Sequence, residues 1–294
     1  MSFSRLMDAL ESKEFTITGE VDPPKGADRE EIVHQAELLK DHVVAANVTD
    51  NPLGIVIMNT LSACHIIQNE VGLEAVFQVT CRDRNRIGIQ SDILGAAALG
   101  MHNILALTGD HPRLGDHPQA KPVFDLDSVQ LTSLIRKMVH EGKDMAGNDL
   151  NVAPKMHVGV ALSPGINPLE PEIIKFEKKV EAGAEFAQTQ VVYDSRVLER
   201  LKDAITHLDI PVLVGIAPLK SLGMAKFMAK NVPGVVVPDD VMSKLEKSVD
   251  IKETTIDITA GLLGEIKELG FSGAHIMPVG MDWAVGEIIK RAGI

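Results

Sequence analysis

Residues 15–24 read FTITGEVDPP, and this stretch sets a pattern that recurs along the whole chain. An apolar, β-branched run over residues 15–18 stops at a glycine, and Glu20 follows with Pro23 and Pro24 just behind it. A short run of this kind, bounded by turn-forming residues, is typical of a buried strand. The stretch therefore predicts a buried strand that carries a carboxylate at its end and leads into a rigid turn.

Seven further apolar runs alternate with longer amphipathic stretches. Several are nearly continuous in Val, Ile, Leu and Ala, as strands covered on both faces are. The eight predicted strands cover residues 15–20, 43–50, 75–81, 103–110, 155–162, 186–194, 211–218 and 273–280. The predicted helices cover residues 28–41, 53–70, 89–100, 126–146, 169–182, 195–208, 220–230, 238–249, 257–269 and 283–291. Asp28 is a predicted helix N-cap, and Gly100, Gly183 and Gly270 stand at predicted helix ends.

Eight strand and helix units without a linker predict an α/β protein with the fold of a (β/α)8 TIM barrel. We expect a single catalytic domain over residues 1–294 that begins with a short helix in the amphipathic N-terminal segment. A doubly wound open sheet is the alternative, but it normally needs fewer strands and often a glycine-rich first turn. Neither GxGxxG after a strand nor GxxxxGK[ST] occurs in the chain.

The composition excludes several classes of protein. With 29 basic and 41 acidic residues the net charge is −12, which argues against a nucleic-acid surface. Aromatic residues make up 3%, so a flat ligand would lie mostly between aliphatic side chains. No apolar run approaches the roughly 18 residues that span a membrane, and no signal peptide is apparent, so we expect a cytoplasmic protein. Cys64 and Cys81 form neither a disulfide framework nor a CxxC metal site.

Polar residues collect at the carboxyl ends of the predicted strands. Because these ends form the active site of a TIM barrel, their side chains are expected around one mouth. They are Glu20, Asn47, Thr49, Asp50, Asn51, Gln78, Thr80, Arg82, Thr108, Gly109, Asp110, Ser163, Asn167, Gln188, Gln190 and Asp194. Gln190 is predicted to be buried, and a buried amide must find partners or it costs stability. Its donor and acceptor suit the edge of a heterocycle.

Each of these residues also has a structural explanation. Glu20 is explained equally well as a turn cap, and Asp110 as an ordinary loop acid or an N-cap. The convergence of Glu20, Asp110 and Gln190 on one predicted mouth favours a functional interpretation over three separate structural ones.

Two further features are weaker signals. His111 and His117 stand in a repeated GDHP, but they lie in a proline-rich loop without helical i,i+4 spacing, so we expect no metal. Residues 175–184, KFEKKVEAGA, are interpreted as a solvated helix face, from which Lys179 alone could turn inward toward a phosphate.

Six segments, in order and over nearly the whole chain, resemble the methylenetetrahydrofolate reductase family. They are ITGEVDPPKGAD (17–28), NVTDNP (47–52), FQVTCRDRN (77–85), ILALTGD (104–110), KKVEAGAEFAQTQVVYD (178–194) and VGIAPL (214–219). Each motif alone is weak, and the ordered set is specific. The resemblance covers the catalytic barrel, as in bacterial members, and implies that the extra regulatory domain of eukaryotic relatives is absent.

The resemblance implies a flavoprotein of one-carbon metabolism and methionine biosynthesis that reduces 5,10-methylenetetrahydrofolate to 5-methyltetrahydrofolate by hydride transfer from flavin N5. Glu20 matches the general acid that opens the five-membered ring by protonating N10. Asp110 and Gln190 match the positions that hydrogen-bond the pterin, and Asp110 would also stabilise the cation formed on ring opening. The matching flavin positions are Thr49, Asp50, Gln78, Thr108, Gly109, Phe124, Ser163, Asn167 and Lys179.

Several positions depart from the commoner bacterial pattern. That pattern has histidine, arginine, tyrosine and histidine at Gln78, Thr108, Ser163 and Asn167, so FMN stands beside FAD as the expected cofactor. Leu222 replaces an aromatic residue that stacks on the nicotinamide dinucleotide, and Met281 replaces an arginine that contacts the folate tail. The expected electron donor is NADH or a partner protein, as in acetogenic anaerobes, and we expect the chain to form an oligomer.

Two rival interpretations remain open. One is a flavin-free, folate-binding barrel that transfers a methyl group to a corrinoid, and the other is a non-catalytic folate or flavin carrier. Pterin recognition by Asp110 and Gln190 would look the same in the first of these. Bound flavin would exclude the flavin-free methyl-transfer barrel. Loss of turnover with retained ligand binding in Glu20→Gln would exclude the non-catalytic carrier.

Overall fold

Eight parallel strands form a closed barrel in the computed structural model, which describes residues 2–294. Each strand pairs with the next in sequence, and the last pairs with the first. The strands are β1 (Thr16–Val21), β2 (Ala45–Val48), β3 (Glu74–Thr80), β4 (Asn103–Leu107), β5 (His157–Leu162), β6 (Phe186–Thr189), β7 (Val212–Ile216) and β8 (Gly273–Ile276). The predicted (β/α)8 barrel is confirmed, and the open-sheet alternative is wrong.

Helices surround the barrel on all sides. They are α1 (Arg5–Ser12), α2 (Arg29–Leu39), α3 (Thr60–Ile66), α4 (Arg86–Ala98), α5 (Ser128–Arg136), α6 (Glu170–Glu181), α7 (Ser195–Ala204), α8 (Leu222–Asn231), α9 (Asp239–Lys247), α10 (Ile251–Glu268) and α11 (Val285–Arg291). α3 and α5 each continue into a π turn, at Ile67–Val71 and Lys137–Glu141. Within residues 2–294, none of the helices has both the length and the apolar character needed to cross a membrane.

Most helix ends lie where the sequence predicts them. The Asp28 side chain caps α2 by accepting a hydrogen bond from the Glu30 N–H. Gly100, Gly183 and Gly270 follow α4, α6 and α10 with φ values of 78°, 109° and 72°, a left-handed conformation that favours glycine. These four predictions are confirmed.

One predicted helix begins late. Residues 53–70 were expected to be helical, but α3 begins only at Thr60. Asn51 and Leu53 have φ values of 48° and 56°, which no α-helix tolerates, so the chain forms an irregular loop over residues 51–57 instead. This loop lies at the mouth of the barrel.

The amino-terminal end of the barrel combines an apolar cluster with buried polar groups at Ser4, Asn103 and His157, and the mouth is polar. α1 closes the amino-terminal end, where Leu6 and Leu10 pack with Leu105 and Phe186. The other end of the barrel is the mouth, which the carboxyl ends of the strands form. There Thr18, Asn47, Gln188 and His275 are all buried. The carboxyl-terminal half of the barrel therefore holds polar groups that the fold alone does not need.

Candidate functional site

A cavity of about 420 Å³ opens at the carboxyl ends of β2 to β6. Its volume lies within the range of roughly 300 to 1,000 Å³ that is usual for small-molecule sites. Of the twelve residues predicted for the site, the structure brings eight together in its wall: Asp50, Gln78, Thr108, Gly109, Asp110, Ser163, Lys179 and Gln190. Within residues 2–294 no aromatic side chain lines this cavity, as the composition predicts.

Glu20 lies on β1 directly beside the cavity. Its side chain is 15% exposed, and its Oε2 lies 3.4 Å from Gln78 Nε2, an atom of a cavity residue. The same oxygen lies 3.5 Å from His275 Nε2 on β8. The sequence prediction that Glu20 stands at the mouth is therefore confirmed as a position, while its role as a general acid stays a prediction. His275 was not predicted, because an isolated histidine in an apolar strand carries no pattern.

A second carboxyl group, Asp22, lies two residues beyond Glu20. Thr49 Oγ1 donates to Asp22 Oδ1 over 3.0 Å, and the predicted contact of Thr49 with a flavin stays a prediction. Although one side of Asp22 faces solvent, loss of hydration in the concave mouth, aided by the charge of Glu20, raises the pKa of Asp22 to about 6. Sequence reasoning missed Asp22, although its i,i+2 spacing from Glu20 was a usable signal.

Asp50 forms a buried ion pair at the end of β2. Its carboxylate accepts hydrogen bonds from the backbone N–H and the hydroxyl of Thr80, both at 2.8 Å, and it is in close contact with the Arg84 guanidinium. Arg84 also bonds Asp92 at 2.8 Å. Asp50 lines the cavity, but its carboxylate is occupied in fixing the segment after β3 to the end of β2. Its predicted contact with a flavin stays a prediction.

Lys179 projects from α6 into the cavity wall and is only 4% exposed. Its ammonium group donates to the Ala161 carbonyl oxygen. Loss of hydration, with repulsion from Lys175, lowers the pKa of Lys179 to about 8, and the nearby Glu172 does not outweigh these effects. The interpretation of residues 175–184 as a solvated face is therefore wrong for Lys179, whose possible inward turn is confirmed.

Thr108 and Gly109 shape the floor of the cavity after β4. Thr108 Oγ1 accepts a hydrogen bond of 3.1 Å from the Ser128 N–H at the start of α5. Gly109 has a φ of 88°, and a Cβ at this position would lie 2.9 Å from Thr80 Cβ. Only glycine fits at position 109. The strand β4 was predicted to reach Asp110, but it ends at Leu107.

Asp110 and Gln190 lie on the same rim of the cavity, and both are exposed. Asp110 Oδ2 accepts the Leu53 N–H at 3.1 Å, and Gln190 Oε1 accepts the Val191 N–H at 2.8 Å. The prediction that Gln190 is buried is wrong, because β6 ends one residue before it. The buried amide is that of Gln188.

Two loops of the mouth are joined to each other. We call residues 51–57 and 110–117 the joined loops. Besides the bond from Leu53 to Asp110, the Val56 N–H donates to Asp116 Oδ1 over 3.3 Å. A Cβ at Gly115 would lie 2.1 Å from the Gly54 carbonyl oxygen, so the two backbones are in direct contact. Among residues 2–294 no group of three or more metal-ligating side chains occurs, in these loops or elsewhere.

Several predicted positions lie away from the cavity wall. Phe124 packs near His111, with 6.3 Å between the ring centroids, and Asn167 is exposed in the loop after β5. Their predicted contacts with a flavin stay predictions. Of the departures outside the predicted flavin positions, Leu222 begins α8 and is partly buried, whereas Met281 is 4% exposed and packs in the core.

Comparison with known proteins gives a family match over nearly the whole chain. A family model described as methylenetetrahydrofolate reductase matches residues 5–293. Methylenetetrahydrofolate reductase 2 of Schizosaccharomyces pombe is 25% identical over 238 residues, which cover 76% of this chain and 36% of that protein. 5,10-Methylenetetrahydrofolate reductase of Pectobacterium carotovorum subsp. carotovorum is 28% identical over 166 residues, with coverages of 55% and 49%. Methylenetetrahydrofolate reductase (NADH) 1 of Arabidopsis thaliana is 23% identical over 249 residues, with coverages of 80% and 40%. The matches thus span half or less of the length of these relatives.

Solved structures resemble this chain in fold. A 2,3-dimethylmalate lyase of the PEP mutase/isocitrate lyase superfamily superposes with a TM-score of 0.55 at 14% identity, covering 99% of this chain and 89% of its own. An oxaloacetate acetylhydrolase gives a TM-score of 0.55 at 11% identity, with coverages of 95% and 82%. At this identity the likeness concerns the barrel alone.

Proposed function

The chain belongs to the methylenetetrahydrofolate reductase family, and from this premise we propose that it reduces 5,10-methylenetetrahydrofolate to 5-methyltetrahydrofolate with a bound flavin. The observation that carries the proposal is the meeting of three residues from distant parts of the chain. Asp110 and Gln190 line one cavity, and Glu20 lies beside it, 3.4 Å from the cavity residue Gln78.

The side chains of the cavity fit a flavin mononucleotide. Lys179 is a buried cation in the wall, as the phosphate of FMN requires. Ala106, Leu107 and Ala161 would supply aliphatic surface for the ring. When bound, a flavin supplies the hydride for the reaction. Because Gln78, Thr108, Ser163 and Asn167 replace the cationic and aromatic residues of the commoner pattern, we propose FMN ahead of FAD.

The chain's own residues provide the remaining chemistry. Asp110 has one carboxylate oxygen free of the Leu53 bond and Gln190 keeps its amide N–H2 group, so together they can pair with the edge of a pterin. Glu20 gives a proton to N10, which becomes a leaving group as its bond to the methylene carbon breaks. The positive charge then rests on the iminium at N5, and the carboxylate of Asp110 stabilises it.

The electron donor in this proposal is NADH or a partner protein. Leu222 at the start of α8 offers an aliphatic side chain where a nicotinamide ring would need an aromatic platform. The printed name of the Arabidopsis relative includes NADH, so that donor stays in the proposal beside a protein partner. An oligomer stays proposed as well.

One experiment tests the function without knowledge of the donor. The purified chain is loaded with FMN or FAD, reduced anaerobically with dithionite and mixed with 5,10-methylenetetrahydrofolate. We expect the absorbance of oxidised flavin to return with formation of an equal amount of 5-methyltetrahydrofolate. Mass spectrometry of the cofactor released from the isolated protein identifies the flavin. A chain that takes up no flavin, yet methylates cob(I)alamin, would establish the corrinoid rival.

Replacement of Lys179 with Met is expected to weaken FMN binding about 10- to 100-fold, since it removes a charge-assisted bond to the phosphate. Because burial lowers the pKa of Lys179 to about 8, the ligand-free side chain loses its charge above that pH. Wild-type affinity for FMN should therefore fall as the pH rises from about 7 to about 9.5, while that of the variant stays low and level. Isothermal titration calorimetry measures both effects.

Lys178→Met is the matched control for this prediction. Lys178 is the preceding lysine of α6, is exposed, and does not line the cavity. We expect the Lys178 variant to bind FMN as the wild type does, with the same fall at high pH. Equal affinities in the two variants would contradict a phosphate contact at Lys179.

A further inference from the structure

Four buried polar side chains form a hydrogen-bonded set inside the barrel, directly behind Glu20. We call Thr18, Asn47, Gln188 and His275 the interior network, and none is more than 3% exposed. Burying polar groups costs free energy unless every donor and acceptor is satisfied. The chemistry proposed above uses none of the four, so their presence beneath the acid needs its own explanation.

The network has a definite donor and acceptor order. Asn47 and Gln188 exchange amide hydrogen bonds of 2.6 and 3.0 Å, and Gln188 Nε2 also donates to Thr18 Oγ1 at 3.3 Å. Because the amide nitrogen only donates, the Thr18 oxygen accepts at that contact, and its own hydrogen remains for His275 Nδ1 at 3.0 Å. Satisfying the buried Thr18 hydroxyl in this way makes Nδ1 of His275 the acceptor, so that the neutral ring carries its hydrogen on Nε2.

The Nε2 atom of His275 is in contact with Glu20. His275 Nε2 lies 3.5 Å from Glu20 Oε2, and Gln78 Nε2 lies 3.4 Å from the same oxygen. Both contacts fall on Oε2, which leaves the other oxygen, Oε1, to hold the transferable proton and face the substrate. After that proton has moved to N10, the same donors stabilise the carboxylate that remains.

We infer that His275 is a positioning residue for Glu20, held as its Nε2–H tautomer by Thr18 and through it by the amide pair of Asn47 and Gln188. This role rests on the proposed function, since it concerns the acid of that reaction. The tautomer itself follows from the chain alone and is independent of any bound cofactor.

The tautomer is tested by nitrogen NMR of protein labelled with 15N-histidine. His157 is an internal control, since it is similarly buried but lies at the opposite end of the barrel. Its Nδ1 is 2.8 Å from the Glu185 carboxylate and its Nε2 accepts from the Phe3 N–H at 3.0 Å, so it should carry its hydrogen on Nδ1. We expect opposite tautomers at the two histidines. A hydrogen on Nδ1 of His275 would overturn the inference.

Kinetics test the positioning role. In the single-turnover assay we expect His275→Leu to lower the rate about 10- to 100-fold, the value of a hydrogen bond to a charged group, with half-saturating folate unchanged. His275→Gln keeps a donor near the position of Nε2 and should recover much of the rate. His157→Leu and His157→Gln should change stability and not rate. A merely structural role for His275 predicts no rescue by Gln.

Coupling to Glu20 completes the test. In a Glu20→Gln background the His275→Leu change should cost nothing further, because the acid through which it acts is gone. An unchanged rate in His275→Leu, or the same loss in both backgrounds, would overturn the inference alone. A wild-type chain that fails to reduce the folate would overturn the proposed function, and this role with it. If His275→Leu does not fold, the single-turnover rate of Thr18→Val is measured in its place. This change should free the His275 tautomer and thereby lower the rate.

Discussion

Glu20→Gln is expected to abolish most of the catalytic rate while leaving the binding site intact. The variant keeps the size and the polar contacts of the side chain but has no proton to give to N10. A general acid contributes about 100- to 10,000-fold, so we expect a loss of that size in single-turnover reduction of 5,10-methylenetetrahydrofolate. The affinities for FMN and for the folate should stay within a few-fold of the wild type, because Glu20 lies beside the cavity and not in its wall.

The control for this prediction is Asp22→Asn. Asp22 is a second carboxyl on the same segment, two residues from Glu20, and its pKa is raised to about 6, so it is the other candidate acid in the mouth. We expect its variant to retain most of the rate. A wild-type rate in Glu20→Gln would end the proposed mechanism, and a large loss confined to Asp22→Asn would move the acid to that residue.

Asp50→Ala is expected to cause the largest loss of stability. It removes one of the two carboxylate partners of Arg84, leaving Asp92, and it takes away the acceptor of the Thr80 N–H and hydroxyl. Because Asp92 still pairs with Arg84, we expect the loss to fall below the roughly 3 to 5 kcal/mol of a fully broken buried pair, at about 2 to 3 kcal/mol in the free energy of unfolding, chiefly from the unsatisfied Thr80 groups. Urea denaturation followed by circular dichroism measures this loss through the shift of the midpoint.

Asp125→Ala is the comparison for Asp50→Ala. Asp125 pairs with Arg86 at 2.8 Å on the surface, where the arginine side chain is 47% exposed. Solvent screens such a pair, so its removal should change the free energy of unfolding little. A loss in Asp50→Ala no greater than in Asp125→Ala would show that Asp50 does not hold the end of β2 in place.

The fold was predictable because buried parallel strands leave continuous apolar runs in the sequence. All eight strands lie within or next to the predicted ranges, and the predicted family is confirmed by the match over residues 5–293. Strand ends were less predictable. β6 stops at Thr189, yet the apolar Val191 and Val192 that follow extend the pattern. The prediction of helix over residues 53–59 is wrong because positive φ values, as at Leu53 and Gly54, leave no mark on composition.

The site was predictable as a set of residues and not as a set of bonds. Ordered motifs identified Glu20 and Asp110, but the contact between Glu20 and His275 joins strands at opposite ends of the chain. No local pattern encodes such a pair. Two glutamines stand two residues apart in QTQVV, and period alone could not decide that Gln188 is the buried one and Gln190 the exposed one.

The joined loops constrain how this protein can change over evolutionary time. Residues 51–57 and 110–117 touch through backbone at Gly54 and Gly115, and each loop satisfies polar groups of the other. An insertion into one loop alone would lift Asp110 away from its donor and shift the side of the mouth that carries Asp110. Insertions or deletions in one of the joined loops should therefore be accompanied by changes of length in the other. Chimaeras that exchange only one of the two loops should fold less often than those that exchange both.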